Sequence, residues 1–323
     1  MKKTILVMAT VLAAQVVSAQ ALKQGSLSNV TRLTNDGATM YENPRWSPDG
    51  TKIAFTQMGY DGLYVMNADG SGKTQLTADA GVGYLYQWSA DSKEILVRDT
   101  RWEQTSTGIV RLHAAWSINL NGAKTKLTQD AEYMQPAAWR YNSTTGAKSV
   151  MSLDAKALPI KIAPVAKAAI DLIRNTPSVN ISFHIDADND ILYLVKADGS
   201  KVVINTDVPS FNAMLSPDGT KVAFNQLDDI YIVNIDGSGK RLLTRGFNPQ
   251  WVNDGQLVYE LTTDDGHVYT SGELYMINAN GSSLKQLTFT TDKIEMNPAV
   301  SPDGSKVVFT SVTDGQIYVA DLK

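Results

Sequence analysis

Residues Val65–Thr77 read VMNADGSGKTQLT, and near copies recur as VNIDGSGKRLLT from Val233 and INANGSSLKQLT from Ile277. The first copy contains Gly-Ser-Gly-Lys-Thr, the closing half of a phosphate-binding loop. Such a loop needs a glycine five residues before its Gly-Lys pair, so that backbone N–H groups can wrap a phosphate ahead of a helix. Asn67 stands there, and the third copy has lost the Gly-Lys pair altogether. A phosphate loop is not repeated and eroded in this way. The stretch is therefore a structural repeat, and its period decides the fold.

Upstream of each copy lies a second motif. NPRWSPDGTKIAF starts at Asn43, AMLSPDGTKVAF at Ala213 and NPAVSPDGSKVVF at Asn297, with blurred versions around Trp88, Trp139 and Trp251. Short runs of β-branched and aromatic residues alternate with Asp-Gly or Asn-Gly pairs, which tolerate positive φ and mark hairpins. Each copy thus encodes four short antiparallel strands. The copies, aligned on Trp46, Trp88, Trp139, Leu215, Trp251 and Val300, lie mostly about 36 to 51 residues apart, the size of a propeller blade. The Trp139–Leu215 interval is about 76 residues. It contains one strand–turn–strand unit from Ile191 and a stretch, Ala163–Asn175, whose apolar spacing suits a short helix. The expectation is an all-β six-bladed propeller with an insertion around residues 152–180 of blade three, or a seven-bladed one if the interval hides a further blade. The last copy runs out after three strands, while NVTRLTNDG from Asn29 resembles a fourth. An N-terminal strand should therefore complete the C-terminal blade and leave no open edge.

The chain opens with Lys2 and Lys3, an apolar run from Ile5 to Val17, and Val17-Ser18-Ala19. This is the pattern of a secretory signal peptide removed after residue 19, leaving one domain from residue 20 to 323. The run is too short for a transmembrane anchor. The protein is thus expected to be exported, periplasmic or secreted, with no membrane insertion. With no cysteine there are no disulfides, thiolate metal sites or cysteine nucleophiles. A net charge of −4, which loss of the two lysines makes more acidic, disfavours nucleic acid as a partner.

The repeated NPxWSPDGxKIAF and LYxMNADGSGxxQLT motifs resemble the WD40-like repeat of TolB-type propellers across nearly all of the mature chain. That resemblance implies the propeller and says little about function, because propellers host unrelated activities. The α/β domain that precedes the TolB propeller has no counterpart among the repeats. The propeller also resembles that of prolyl-oligopeptidase-type peptidases, but no Gly-x-Ser-x-Gly elbow is present to serve as a hydrolase nucleophile.

The Ser-Pro-Asp-Gly aspartates read as turn formers and the strand tryptophans as packing between blades. Propeller topology puts the first-to-second and third-to-fourth strand turns on one face, where all are tight. The other face receives the blade connections and three long excursions, Asp99–His113, the insertion after Met151 and Leu261–Gly272, and is the expected binding face. Asn43, Tyr86, Gln87, Gln135 and Asn297 lie in the blade connections there, and Arg101 with Trp102 pairs a cation with an exposed aromatic. The leading expectation is a non-enzymatic scaffold binding an envelope or extracellular protein, a peptide or a glycan, without a cofactor. The alternative is a metal-assisted polysaccharide lyase or hydrolase, with His113, His267 and Asp265 holding a divalent metal at the channel mouth. The related lyase propellers use histidine-rich sites, and only three histidines are present here.

Overall fold

The computed structural model describes residues 23–24, 27–132, 134, 137–142, 144–152, 180–186, 190–206 and 208–322. The proposed leader, most of the proposed insertion with its helix at Ala163–Asn175, and Gln135 lie outside the described residues. What is described is a six-bladed β-propeller. Blade one comprises Tyr41–Trp46, Lys52–Gln57, Asp61–Asn67 and Thr74–Thr77, from the channel outwards. Blade two comprises Gln87–Trp88, Glu94–Thr105, Gly108–Asn119 and Lys124–Lys126. Blade four is Ser210–Leu215, Lys221–Gln226, Asp229–Asn234 and Arg241–Arg245, and blade five is Phe247–Asn253, Gln256–Asp264, Tyr269–Asn278 and Lys285–Gln286.

Blade six takes three strands from the C-terminal end, Glu295–Val300, Lys306–Ser311 and Gln316–Asp321, and its outer strand, Ser28–Arg32, from the N-terminal end. The closure follows the sequence expectation. Thr31 pairs with Val319 and Arg32 with Tyr318, and Leu33 N–H reaches the Ile317 carbonyl at 2.7 Å. Lys23–Gln24 adds an unforeseen parallel fifth strand outside Lys285–Gln286 of blade five.

Blade three is divided. Ala137–Tyr141 pairs with Lys148–Ser152, while Ser182–Ile185, Leu192–Val195 and Lys201–Asn205 form a separate sheet. Side chains join the halves. The Asn180 amide accepts Tyr141 N–H at 2.7 Å and donates to the Tyr141 carbonyl at 2.9 Å, standing in for a strand neighbour. The buried Arg140 guanidinium donates to Ser182 Oγ at 2.5 Å.

The core is a set of inter-blade layers. Phe55 and Tyr64 of blade one pack with Val308 and Ile317 of blade six, and Leu63 and Val65 pack with Ile95 and Val97 of blade two. The tryptophans lock these layers in one repeated way: each indole N–H donates to a backbone carbonyl on the innermost strand of the preceding blade. The pairs are Trp46 to Ala299 (3.0 Å), Trp88 to Arg45 (3.2 Å), Trp139 to Gln87 (3.3 Å) and Trp251 to Met214 (3.1 Å).

The tight turns behave as their residues dictate. In Ser216-Pro217-Asp218-Gly219 the Ser216 hydroxyl donates to Asp218 at 2.6 Å and accepts Lys221 N–H at 2.9 Å, while Gly219 takes φ of 72°. The same bonds recur from Ser47 and Ser301. Ser216→Ala is expected to cost about 1–2 kcal/mol, because the wholly buried hydroxyl serves both partners. A urea midpoint equal to the parent's would show that the turn forms without it. In the opening stretch, Asn67 N–H bonds the Ser71 carbonyl and Lys73 pairs with Asp36 and the Tyr41 hydroxyl. The lysine of the loop-like motif is thus engaged at the ring seam.

Candidate functional site

The innermost strands carry a shared irregularity that shapes the channel. Their pairing with the second strand slips between Glu42 and Arg45, Phe211 and Met214, Phe247 and Gln250, and Met296 and Ala299. Within each slip one residue takes positive φ: Asn43 (55°), Asn212 (52°), Asn248 (51°) and Asn297 (55°), with Leu85 (54°) at the same repeat position in blade two. A bulge needs such a residue, and asparagine enters the left-handed region more readily than other side-chain-bearing residues. The asparagines of the connections therefore serve the backbone first, and the bulges bring Asn212, Asn248 and Asn297 to the mouth.

Two second-strand side chains bond this line of bulges. Asn225 of blade four accepts Asn248 N–H at 3.0 Å. Glu260 of blade five accepts Asn297 N–H at 2.5 Å and the Asn248 amide at 2.7 Å. Asn212 donates to Asn248, so a chain of hydrogen bonds crosses three blades. At the ring seam the corresponding Thr310 hydroxyl is buried and bonded to none of the described residues. Glu260 is only 2% exposed, and burial pushes its carboxyl up to about 7 against the two bonds that favour the ionised form. Sequence reasoning missed Glu260, because in QLVYELTTD it reads as an ordinary outward-facing acid. The available signal was its alignment with Asn225 three residues after the buried Leu257 and Val222.

Above this belt a cavity of about 950 Å³ opens on the face of blade connections and second-to-third strand turns. Tyr60, Phe211, Tyr269, Glu42, Asp264 and Asn297 are among the residues that line it. The excursions of blades two and five prove to be β-arms rather than loops. Glu94–Thr105 pairs with Gly108–Asn119 down to Thr105 opposite Gly108, and Gln256–Asp264 pairs with Tyr269–Asn278. The arms rise from blades two and five, opposite each other in the ring. Tyr269, on the second arm, comes close enough to Tyr60 of blade one to help raise the Tyr60 pKa, after the larger effects of burial and Glu42.

The residues singled out from sequence divide into distinct environments. Asn297 lines the cavity, whereas Asn43 reaches the Gly83 carbonyl at 3.3 Å between blades one and two. Tyr86 offers no surface. It is wholly buried, with its hydroxyl 2.8 Å from the carbonyls of Asn43 and Ala54, and burial raises its pKa. A Tyr in a connection looked accessible, but the inter-blade layer draws its ring inside. Gln87 accepts Trp139 N–H at 2.8 Å and helps dock blade three. Trp102 is 67% exposed on the first arm with Arg111 over its ring, and Arg101 pairs with Glu103 (2.9 Å) and Asp130 (3.0 Å).

The metal candidates are not brought together. His113 is buried in blade two against Thr100 (2.9 Å), its pKa lowered by burial, then by Arg98 and Arg111. His267 sits exposed at the tip of the arm on blade five, where Asp265 accepts its backbone N–H and that of Val268 at 2.9 Å. Those backbone bonds hold the Asp265 carboxyl below its ordinary pKa. Among the described residues no group of three or more His, Asp or Glu side chains converges on one point.

A TolB homolog from Chlorobium luteolum is 30% identical to the chain over 198 residues, 55% of this chain and 44% of that protein. The propeller is thus similar to a TolB homolog over about half of the chain. A second relative, an uncharacterized protein of Agrobacterium fabrum, is 28% identical over 140 residues, 41% of this chain and 46% of its own. The chain spans less than half the length of these two curated relatives. Among solved structures, the β-propeller domain of Myceliophteria thermophila Cps50 (Swd1) aligns with a TM-score of 0.55 at 11% identity, covering 92% of this chain and 99% of that one. At that identity the likeness is one of fold. No protein-family model matches the chain.

Proposed function

We propose that this propeller is an exported, non-enzymatic scaffold that binds a segment of a protein or peptide at the mouth between its two arms. One observation carries the reading: most of its exposed large apolar side chains lie on a single face. Met58, Tyr60, Leu227, Trp102, Val268 and Tyr269 sit in second-to-third strand turns or arms, and Tyr84, Leu85, Phe211 and Phe289 flank blade connections. Among the described residues, none of the exposed large apolar side chains lies within a first-to-second or third-to-fourth strand turn. Contiguous exposed apolar surface on one side of a rigid body, rimmed by polar groups, marks an interaction site. Aromatic side chains at a concave mouth are the usual anchors of such sites. The TolB likeness supports a protein ligand, and the N-terminal Lys-Lys and apolar run support export.

The test is retention of envelope proteins on the immobilised chain, compared with a Phe211→Ser/Tyr269→Ser variant. Both side chains are exposed, so the variant is expected to melt with the parent and to hold the retained protein at least about tenfold more weakly. Equal retention by both would remove the mouth as the site. Release of the retained protein by soluble oligosaccharides would redirect the reading to glycans.

A further inference from the structure

The mouth is acidic as well as aromatic. Four carboxyl groups line it, from Glu42, Asp228, Glu260 and Asp264, and among the described lining residues Arg245 is the only base. Arg245 is held by Asp228 at 3.1 Å. Glu42, Glu260 and Asp264 form no ion pair among the described residues. Glu42 accepts Tyr60 N–H at 2.9 Å and Asp264 accepts Gly266 N–H at 2.8 Å, so both are fixed by one backbone donor while remaining accessible to water.

We infer that the segment bound at this mouth presents a lysine or arginine side chain, received between the aromatic rings and the carboxylates of Glu42 and Asp264. The inference rests on the protein- or peptide-binding reading above and names the chemistry of its ligand. Opposite charge is the first argument: a cation gains from the accessible, unpaired carboxyl groups of Glu42 and Asp264 at the mouth of a low-dielectric cleft, and an acidic segment is repelled. Ring chemistry is the second. Tyr60, Phe211 and Tyr269 offer faces that attract a guanidinium or ammonium. The same side of the protein already stacks its own cations in this way, Arg111 over Trp102 at 5.7 Å, Arg98 over Tyr84 at 5.2 Å and Arg45 over Tyr86 at 5.2 Å. Adaptability is the third, because Met40, Met58 and Met296 line the same cavity and can follow the aliphatic stem of a long basic side chain.

The experiment is selection of phage-displayed random dodecapeptides on the immobilised chain, followed by titration of the selected peptides in synthetic form. The selected pool is expected to be enriched in Lys and Arg. Affinity should fall about tenfold in the Glu42→Gln/Asp264→Asn variant and weaken between about 0.05 and 0.5 M salt. Both substitutions keep the oxygen that accepts its backbone N–H, so the variant should melt with the parent. A pool without basic enrichment, or equal affinity for parent and variant, would overturn the basic-ligand inference while leaving the peptide-binding reading in place. Failure to enrich any peptide would count against both.

Discussion

Trp139→Ala is expected to cost about 3–5 kcal/mol of stability, the range for emptying a buried tryptophan site. Trp139 is wholly buried where blade two meets the divided blade three, among Leu96, Ala115, Met134 and Val150. Its indole N–H holds the Gln87 carbonyl, and the Lys148 ammonium lies 4.7 Å from the ring centre. That lysine is 3% exposed and paired with Glu94 at 3.0 Å. Removing the ring therefore opens a cavity and strips a buried cation of one of its two supports. Trp102→Ala is the matched control. Its ring is 67% exposed, so the change should stay within about 0.5 kcal/mol. Urea denaturation of the two variants decides the matter: comparable losses would mean that Trp139 does not lock the blades.

Stability should decline as pH rises from about 4.5 to about 7. Burial pushes Glu260 and Glu295 up to about 7, above the 4.5 of an unperturbed glutamic acid. In that window the folded state keeps protons that the unfolded state has released, so unfolding becomes easier with every step upward. Each carboxyl contributes on the order of 3 kcal/mol, present below about pH 4.5 and lost by about pH 7. Glu295 shows the cause plainly. It is 1% exposed, Thr290 donates to one of its oxygens at 2.7 Å, and the other has no partner. Glu273 raises its pKa further. His113 pulls the other way, since a base with a lowered pKa favours the folded state as pH rises. Asp303, lowered to about 2 by Ser301 and Ser305, protects the fold until the solution is far more acidic. Glu295→Gln isolates the acids, because it keeps an acceptor for Thr290 and cannot ionise. Its melting temperature should vary roughly half as steeply between pH 5 and 7 as the parent's, and a parent profile flat across that range would refute the assignment.

The fold was legible because a propeller writes itself several times. SPDG turns, N-A-D-G-S-G turns and tryptophans at a recurring position each have local chemistry, and each copy corroborates the others. Closure by Asn29–Thr34 could be read because TRLT matches the fourth-strand ending TQLT. The division of blade three was not legible, since the Asn180 and Arg140 bonds that join its halves have no repeat counterpart. The cavity lies on the face to which the sequence pointed, and the accessibility of individual connection residues was less legible. Accessibility in a connection depends on which side of an inter-blade layer a ring falls, and Tyr86 falls inside while Tyr84, two residues earlier, is exposed. Glu260 hid in a strand. Its importance comes from a bulge on the next blade, Asn297, which only register reveals.

The seam that joins the chain's ends also fixes when the molecule can become whole. Asn29 and Asp321, hydrogen-bonded at 2.6 Å, are 292 residues apart in sequence, and the blades between them touch chiefly their immediate neighbours. Local hairpins need close only short loops, whereas this contact must gather nearly the whole chain. A chain that emerges N-terminus first can assemble its blades in order, yet Ser28–Arg32 must wait for the last strand to arrive. Until the two pair, the outer edge of Gln316–Asp321 is open to a strand from another molecule. Ring closure is thus expected to come last in folding and to be the stage most open to association with other copies of the chain.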